Sequence, residues 1–289
     1  MIKQLSIPLT ATEAWLRLLA DVSIHGQRRK PRGLPIREII NNTTMVDMCH
    51  PVVLTKVRKL SYKFMAAEAW WILSGRSDVE SIGKYCKAIR QFSDDGETFF
   101  GAYGPKIAKQ LEYVVNALIA DPDTRQAVLT IWRESPPKTK DVPCTVSAQW
   151  FVRDGLLHCI DNMRSSDVWL GFPYDVFNFT MLSWHILEEL RDRGKNLELG
   201  ILYFNAGSHH IYEKDLAVLN DWQNHHWADG HDFDAVAGHR IEHGVVHGYL
   251  GAMIGEYSLT KNLSEPFGFF RDFRDQLINT KTKTKKHDI

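Results

Sequence analysis

Val142-Pro143-Cys144-Thr145 and, beyond a hairpin, Asn162-Met163-Arg164-Ser165-Ser166-Asp167-Val168-Trp169-Leu170-Gly171-Phe172-Pro173-Tyr174-Asp175 are the stretches on which the fold turns. The first sets a cysteine after a proline at the head of an expected strand. The second passes from a strand through an Arg-Ser-x-Asp turn and Leu-Gly-x-Pro into a helix. Between them stands Asp154-Gly155. Flanked by apolar runs at 148–152 and 156–162, that pair is a strong hairpin signal, because both turn positions tolerate positive φ.

Working outward, 201–204 reads as a buried strand and 126–132 as a β-branched one. Residues 175–191 read as a long amphipathic helix ending before Gly194, with Asp175 at its start, where aspartate is a common N-cap. Thr10-x-x-Glu13 is a capping box opening a helix through Ala14, Trp15, Leu18 and Leu19. Residues 62–73 form a strong helix, apolar nearly all round, with Gly75 as its stop. A further helix is expected over 212–222. Residues 26–38 read as a loop, broken by two prolines and two glycines. Strands bunch in the middle with helices on both sides, which predicts an α+β fold. No repeat, linker or composition break divides 1–289, so one domain is expected. Its end, about 275–289, carries Lys281, Lys283, Lys285 and Lys286 and reads as a solvated, flexible tail.

Lys+Arg and Asp+Glu each number 35, so no net charge draws the chain to nucleic acid or membrane. No apolar run is long enough to span a bilayer, and the N-terminus lacks a signal-peptide core. Four cysteines in 289 residues (Cys49, Cys86, Cys144, Cys159) do not make a disulfide framework. A reducing, cytoplasmic setting is therefore expected.

A cysteine taken alone is more often a small buried hydrophobe than a nucleophile. Cys144 differs by its setting after proline with an arginine in the same pattern, since a cationic neighbour lowers a thiol pKa. The other three lack such a setting. Zinc-deaminase chemistry needs His-x-Glu and Pro-Cys-x-x-Cys, and Cys144 is followed by Thr145, Val146 and Ser147. His239, His243 and His247 would align on one helix face, but Gly238, Gly244, Gly248 and Gly251 oppose that helix, and no metal is expected. Glu68 is a lone carboxylate on an apolar helix, which is expensive to bury without a task.

The ordered set, with Asp121-Pro122-Asp123-Thr124-Arg125 before it and Gly207-Ser208-His209-His210-Ile211-Tyr212 after it, resembles the thymidylate synthase superfamily. The likeness is densest from Asp121 to about Tyr212 and looser back to residue 26. It implies a thymidylate synthase-like fold, a central mixed sheet of about six strands packed with helices, and a homodimer through the sheet face. It makes Cys144 the thiolate that adds to C6 of a pyrimidine nucleotide, with 5,10-methylenetetrahydrofolate as co-substrate. Glu68 matches the glutamate that organises proton transfer, and Tyr103 the tyrosine implicated in removing the C5 proton. Arg164 and Ser165 match the phosphate pair, and Arg125 an arginine donated by the partner subunit. Arg29 is the best match to a further phosphate arginine, with Arg28 and Arg32 as alternatives. His210 and Tyr212 match the sugar contacts, and Asp167, Leu170 and Gly171 the folate side. Gln126 departs from the family, which has a second arginine there.

Asp175 stands where thymidylate synthases carry asparagine. An asparagine amide complements uracil N3–H and O4. An ionised aspartate accepts from the cytosine amino group and repels O4, and a proton shared with N3 completes the pair. Leaving O4 against a carboxylate costs roughly 1–3 kcal/mol, so dCMP is expected over dUMP. Cys144-Thr145 with Asn162-Met163-Arg164-Ser165 resembles the phage-type deoxycytidylate hydroxymethylases. Residues 87–92 lack the family's folate-side tryptophans, which would admit water. The expected activity is dCMP hydroxymethylation. The alternatives are a dCMP or dUMP C5-methyltransferase producing dihydrofolate, and an inactive nucleotide-binding relative.

Overall fold

The computed structural model describes residues 8–55 and 57–227, with side chains described as far as Asp221. The three spaced histidines and the lysine-rich end lie outside the described residues. Helix α1 (Ala11–His25) opens with the expected capping box: Thr10 accepts from Glu13 N, and Glu13 reaches back to Thr10 N. A short strand β1 (Gln27–Arg29) and a 3-10 turn (Pro31–Gly33) lead into β2 (Ile36–Asp47). Helices α2 (Tyr62–Leu73), α3 (Val79–Ile82) and α4 (Gly104–Ala120) follow, with a second 3-10 segment at Lys87–Phe92. Then come β3 (Val128–Thr130), the hairpin β4 (Thr145–Arg153) and β5 (Leu156–Met163), and β6 (Ser166–Asp167). The long helix α5 (Phe172–Asp192), β7 (Glu198–Tyr212) and α6 (Glu213–Trp227) complete the described chain.

The expected α+β class holds, and the sheet has seven strands rather than about six. Its order is β1-β2-β7-β5-β4-β3, with β6 beside β7. The β5–β7 and β6–β7 pairs are parallel and the rest antiparallel, so the sheet is mixed. The extra material is β1 and the start of β2, which form within the segment read as a loop. Pro31 and Gly33 occupy the turn itself, leaving Gln27–Arg29 free to pair with Ile36–Glu38. β7 extends far beyond 201–204, because β2 pairs with it from Asp47↔Ile201 to Ile36↔Tyr212. β3 is shorter than expected. Helix α5 begins almost a turn before Asp175. Phe172 and Pro173 fit its first turn, where a missing N–H loses no helical bond. Asp175 is therefore not its N-cap; Gly171 is.

The core lies between the sheet and α1 and α5, with α2 packed on α5. Trp15, Trp150, Phe172 and Phe204 are fully buried there. The two indole N–H groups are satisfied, Trp15 donating to Val168 O at 2.8 Å and Trp150 to Ser183 Oγ at 2.9 Å. Burying such rings stabilises by roughly 2–3 kcal/mol each. They fix the sheet against α5, and so fix β4 and the start of α5 relative to each other.

Candidate active site

Cys144 ends the loop that enters β4. At that point the β4–β5 register slips, Thr145 facing Met163 and Ser147 facing Asn162, so Val146 is bulged. Val146 O accepts from both Ile131 N and Trp132 N, 3.0 and 3.1 Å. A bulge re-aims the chain at a strand end, and here it sets the residues beside the thiol. Arg164, at the end of β5, donates its backbone N–H to Cys144 O at 2.8 Å. Its guanidinium donates to Pro143 O (2.9 Å), Val142 O (3.0 Å) and Ser165 Oγ (3.1 Å) and lies 5.9 Å from the Trp132 ring centre. Arg164 Nη2 and Ser165 Oγ both lie 3.8 Å from Cys144 Sγ. The thiol pKa nevertheless rises above its ordinary value, contrary to expectation. Burial raises it more than Arg164 lowers it, and Asp175 and Asp141 add to the rise.

Tyr103 precedes α4, and its hydroxyl accepts from Thr145 N at 3.2 Å. Burial, Cys144 and Asp175 all hold the phenol well above its usual pKa. It lines a cavity of about 210 Å³ with Glu68, Asp141, Asp175 and Asn178 on the polar side. Trp71, Ile72, Ile82, Ile89, Phe92 and Phe99 form the apolar side. Glu68, on α2, accepts from Asn178 Nδ2 at 2.9 Å, and burial pushes its carboxyl up to about 7 despite that bond. Asp175 sits in the first turn of α5. Burial raises its pKa well above the usual range, and the charges of Glu68 and Asp167 raise it further. A Cβ on Gly171 would lie 3.1 Å from Asp175 Oδ2, so glycine there leaves room for the carboxyl.

The structure thus gathers Cys144, Arg164, Ser165, Tyr103, Glu68 and Asp175. Asp167 is half-buried on β6 beside β7, and its Oδ1 accepts from Trp169 N and Leu170 N (3.0 and 2.8 Å), shaping the turn into α5. His210 lies opposite Asp167 in the sheet, and its ring meets Tyr212 edge-on at 5.5 Å. Asp167, Leu170 and Gly171 do not line the cavity; Gly171 bears on it only through Asp175. Arg29 lies on exposed β1, 3.7 Å from Glu38, and its cross-strand partner Ile36 faces Tyr212. Arg28 instead pairs with Glu213 at 3.2 Å, and Arg32 occupies the turn at φ 52°. Arg125 is not brought to the thiol. It is exposed, its carbonyl bonded to Gln149, five residues and about 16 Å along β4 from Cys144. Gln126 is exposed beside it.

Three polar residues escaped the sequence reading. Asn178 falls on the same helix face as Asp175, at i+3, which helical periodicity alone would have flagged. Asp141 stands three residues before the nucleophile candidate. Asp161 on β5 is fully buried, with neither carboxylate oxygen hydrogen-bonded among the described residues. Burial and the nearby Asp175 raise its pKa well above the usual range. Strand alternation places it on one face with Leu157, Cys159 and Met163, a local signal that would have marked it as buried.

Residues 13–227 match the family model for thymidylate synthase, and the chain belongs to that family. It is 31% identical over 229 residues to a deoxyuridylate hydroxymethyltransferase of Bacillus phage SP01, covering 72% of this chain and 58% of that protein. It is 30% identical over 210 residues to a deoxyuridylate hydroxymethyltransferase of Pseudomonas phage M6, covering 68% and 58%. A thymidylate synthase of Bacillus atrophaeus is 28% identical over 183 residues, covering 58% of this chain and 78% of that protein. The chain therefore spans less than two thirds of the length of either phage relative. Among the described residues, no helix is long and apolar enough to cross a membrane.

Proposed function

We propose that the protein transfers a one-carbon unit from 5,10-methylenetetrahydrofolate to C5 of dCMP and releases it as a hydroxymethyl group. The observation that carries this reading is Asp175, half-buried at the start of α5 on the wall of the cavity that adjoins Cys144. The thiolate of Cys144 adds to C6, dividing one hard substitution into easier steps. Arg164, whose charge favours that thiolate, and Ser165 also match the family's phosphate ligands. Tyr103 and Glu68 move the C5 proton, with burial raising the Glu68 carboxyl to about 7, near the pH at which a shuttle works best. His210 and Tyr212 face the sugar. The apolar wall of Trp71, Ile82, Ile89 and Phe92 suits the flat ring of the folate, which supplies carbon at the oxidation level of formaldehyde. Asp167, Leu170 and Gly171 act on this side through the turn that holds Asp175.

In its neutral form, which desolvation and the charges of Glu68 and Asp167 favour, Asp175 can pair with either base before reaction, since a neutral carboxyl both donates and accepts. Selectivity arises as sulfur adds to C6. Cytosine N3 is basic enough to take the proton, which draws electrons from C6; uracil N3 already carries a hydrogen. The names of the two phage relatives favour dUMP as the second reading. A C5-methyltransferase or an inactive nucleotide-binding relative are the remaining ones. The isolation of Arg125 from its own Cys144 supports a homodimer through the sheet face in which each copy lends this arginine to the other. With it goes a single-domain, cytoplasmic enzyme. The Asp175→Asn variant tests the base assignment. The dCMP:dUMP ratio of kcat/KM should shift toward dUMP by roughly 10–100-fold, the equivalent of 1–3 kcal/mol. An unchanged ratio contradicts it.

A further inference from the structure

We propose that Asp141 is the general base that activates the water adding to the one-carbon unit, and so commits the site to a hydroxymethyl product. The inference rests on the reading that this site transfers a one-carbon unit to C5 through Cys144.

Asp141 lies on the cavity wall with Glu68, Tyr103, Asp175 and Asn178. It precedes Cys144 by three residues on one loop, and its charge acts on the thiol. With Cys144 bonded to C6, Asp141 therefore falls toward the C5–C6 edge of the ring, whereas Asp175 reads the N3–C4 edge. The side chain is built in. Its Oδ2 accepts from Gly101 N at 2.7 Å, while Oδ1 makes no hydrogen bond among the described residues. A Cβ on Gly101 would lie 2.5 Å from Asp141 O and 3.0 Å from its Oδ2, so only glycine at 101 admits this approach. The loop is tied further by Asp141 N to Thr139 Oγ1 at 3.1 Å and by Thr139 and Lys140 N to Asp94. The rival acids are engaged: Glu68 by Asn178, and Asp175 by the base in the reading above. Burial holds the Asp141 carboxyl above its ordinary range and Asp94 adds to this, while the Gly101 N–H and Lys106 oppose it. Its carboxylate is thus a stronger base than a solvated aspartate.

The step balances with water alone. After the carrier amine leaves, C5 bears an exocyclic methylene while C6 remains bonded to Cys144 Sγ. The water oxygen bonds that methylene carbon, its proton passes to the Asp141 carboxylate, and the methylene π pair moves toward C4. That pair returns to form C5=C6, the C6–S bond breaks, and sulfur leaves as thiolate. The proton on Asp141 returns to the thiolate or to solvent. Nothing is oxidised or reduced.

The test follows two reactions of the full-length protein, with dCMP and dUMP in parallel. One is exchange of the C5 hydrogen with deuterated solvent, nucleotide alone. The other is hydroxymethyl formation with 5,10-methylenetetrahydrofolate, both read by mass spectrometry. In Asp141→Asn the ratio of hydroxymethylation to exchange should fall by roughly 10²–10⁴-fold, the scale of a lost general base. Added 2-mercaptoethanol should capture the stranded methylene as a C5 thioether. Asp141→Glu should recover part of the ratio. A ratio unchanged in Asp141→Asn overturns the proposal, as does an equal loss of both reactions in both variants, which marks a structural role. Failure of the unaltered protein to exchange C5–H removes the underlying reading and this inference with it.

Discussion

The thiol cradle and the acid-lined cavity adjoin, yet they are built on opposite terms. In the cradle, the Arg164 guanidinium is held by two backbone carbonyls, a neighbouring hydroxyl and an aromatic ring, and reaches Cys144 Sγ at 3.8 Å. Its shape follows from the β4–β5 hairpin and holds without a ligand. In the cavity, Glu68, Asp141 and Asp175 are partly buried, and each is pushed above the usual carboxylate range chiefly by desolvation. Clustered acids of this kind destabilise a fold unless they stay protonated. The cradle thus sets a fixed cation beside a buried thiol, and the cavity handles protons. Chemistry that adds sulfur at C6 and shifts hydrogens at C5 needs both, side by side.

The sharpest way to break this division is to remove the thiol. Cys144→Ser should abolish C5–H exchange and product formation, each by about 10⁴-fold or more, the scale expected when a covalent nucleophile is lost. Nucleotide binding, followed by calorimetry, should persist, because Arg164 and Ser165 are held by the hairpin. Residual exchange near the normal rate would mean that the cradle does not supply the nucleophile.

A smaller effect tests the cavity. Glu68 titrates at about 7 in the folded protein, against an ordinary value of 4.5. Between those values the folded state binds the proton more tightly than the unfolded chain, so this contribution to stability is full below pH 4.5 and is lost as pH rises through 7. Glu68→Gln removes that loss. Relative to the unaltered protein, its stability to denaturant should improve between pH 5 and pH 8 by up to about 3 kcal/mol. Parallel stability curves across that range would place Glu68 in a solvated, ordinary environment instead.

The two regions were also unequally legible in the sequence. Cys144, Arg164 and Ser165 sit on a hairpin announced by Asp154-Gly155, and the helix at Tyr62–Leu73 was readable from its apolar pattern and stop. These are local rules. The strand at Ile36–Asp47 was not readable, since Ile40 is largely exposed, Asn41 takes φ 53°, and Pro31, Gly33 and Pro35 precede it. It exists because Glu198–Tyr212 pairs with it, a contact between distant residues that no window of sequence contains. The thiol's raised pKa was missed for a related reason. The neighbouring arginine is visible in sequence, but the burial that outweighs it is a property of the fold. Asp141 likewise acquires meaning only once α2, α4, α5 and the sheet enclose the space around it.

The central claim is a hydroxymethyl transfer to cytosine, and the most direct measurement is mass spectrometry of dCMP after incubation with the protein and 5,10-methylenetetrahydrofolate. It is run with dUMP in parallel and with absorbance monitored for dihydrofolate. The account predicts 5-hydroxymethyl-dCMP with no dihydrofolate formed, and far slower reaction of dUMP. A methyl product accompanied by dihydrofolate, or a preference for dUMP, would contradict it.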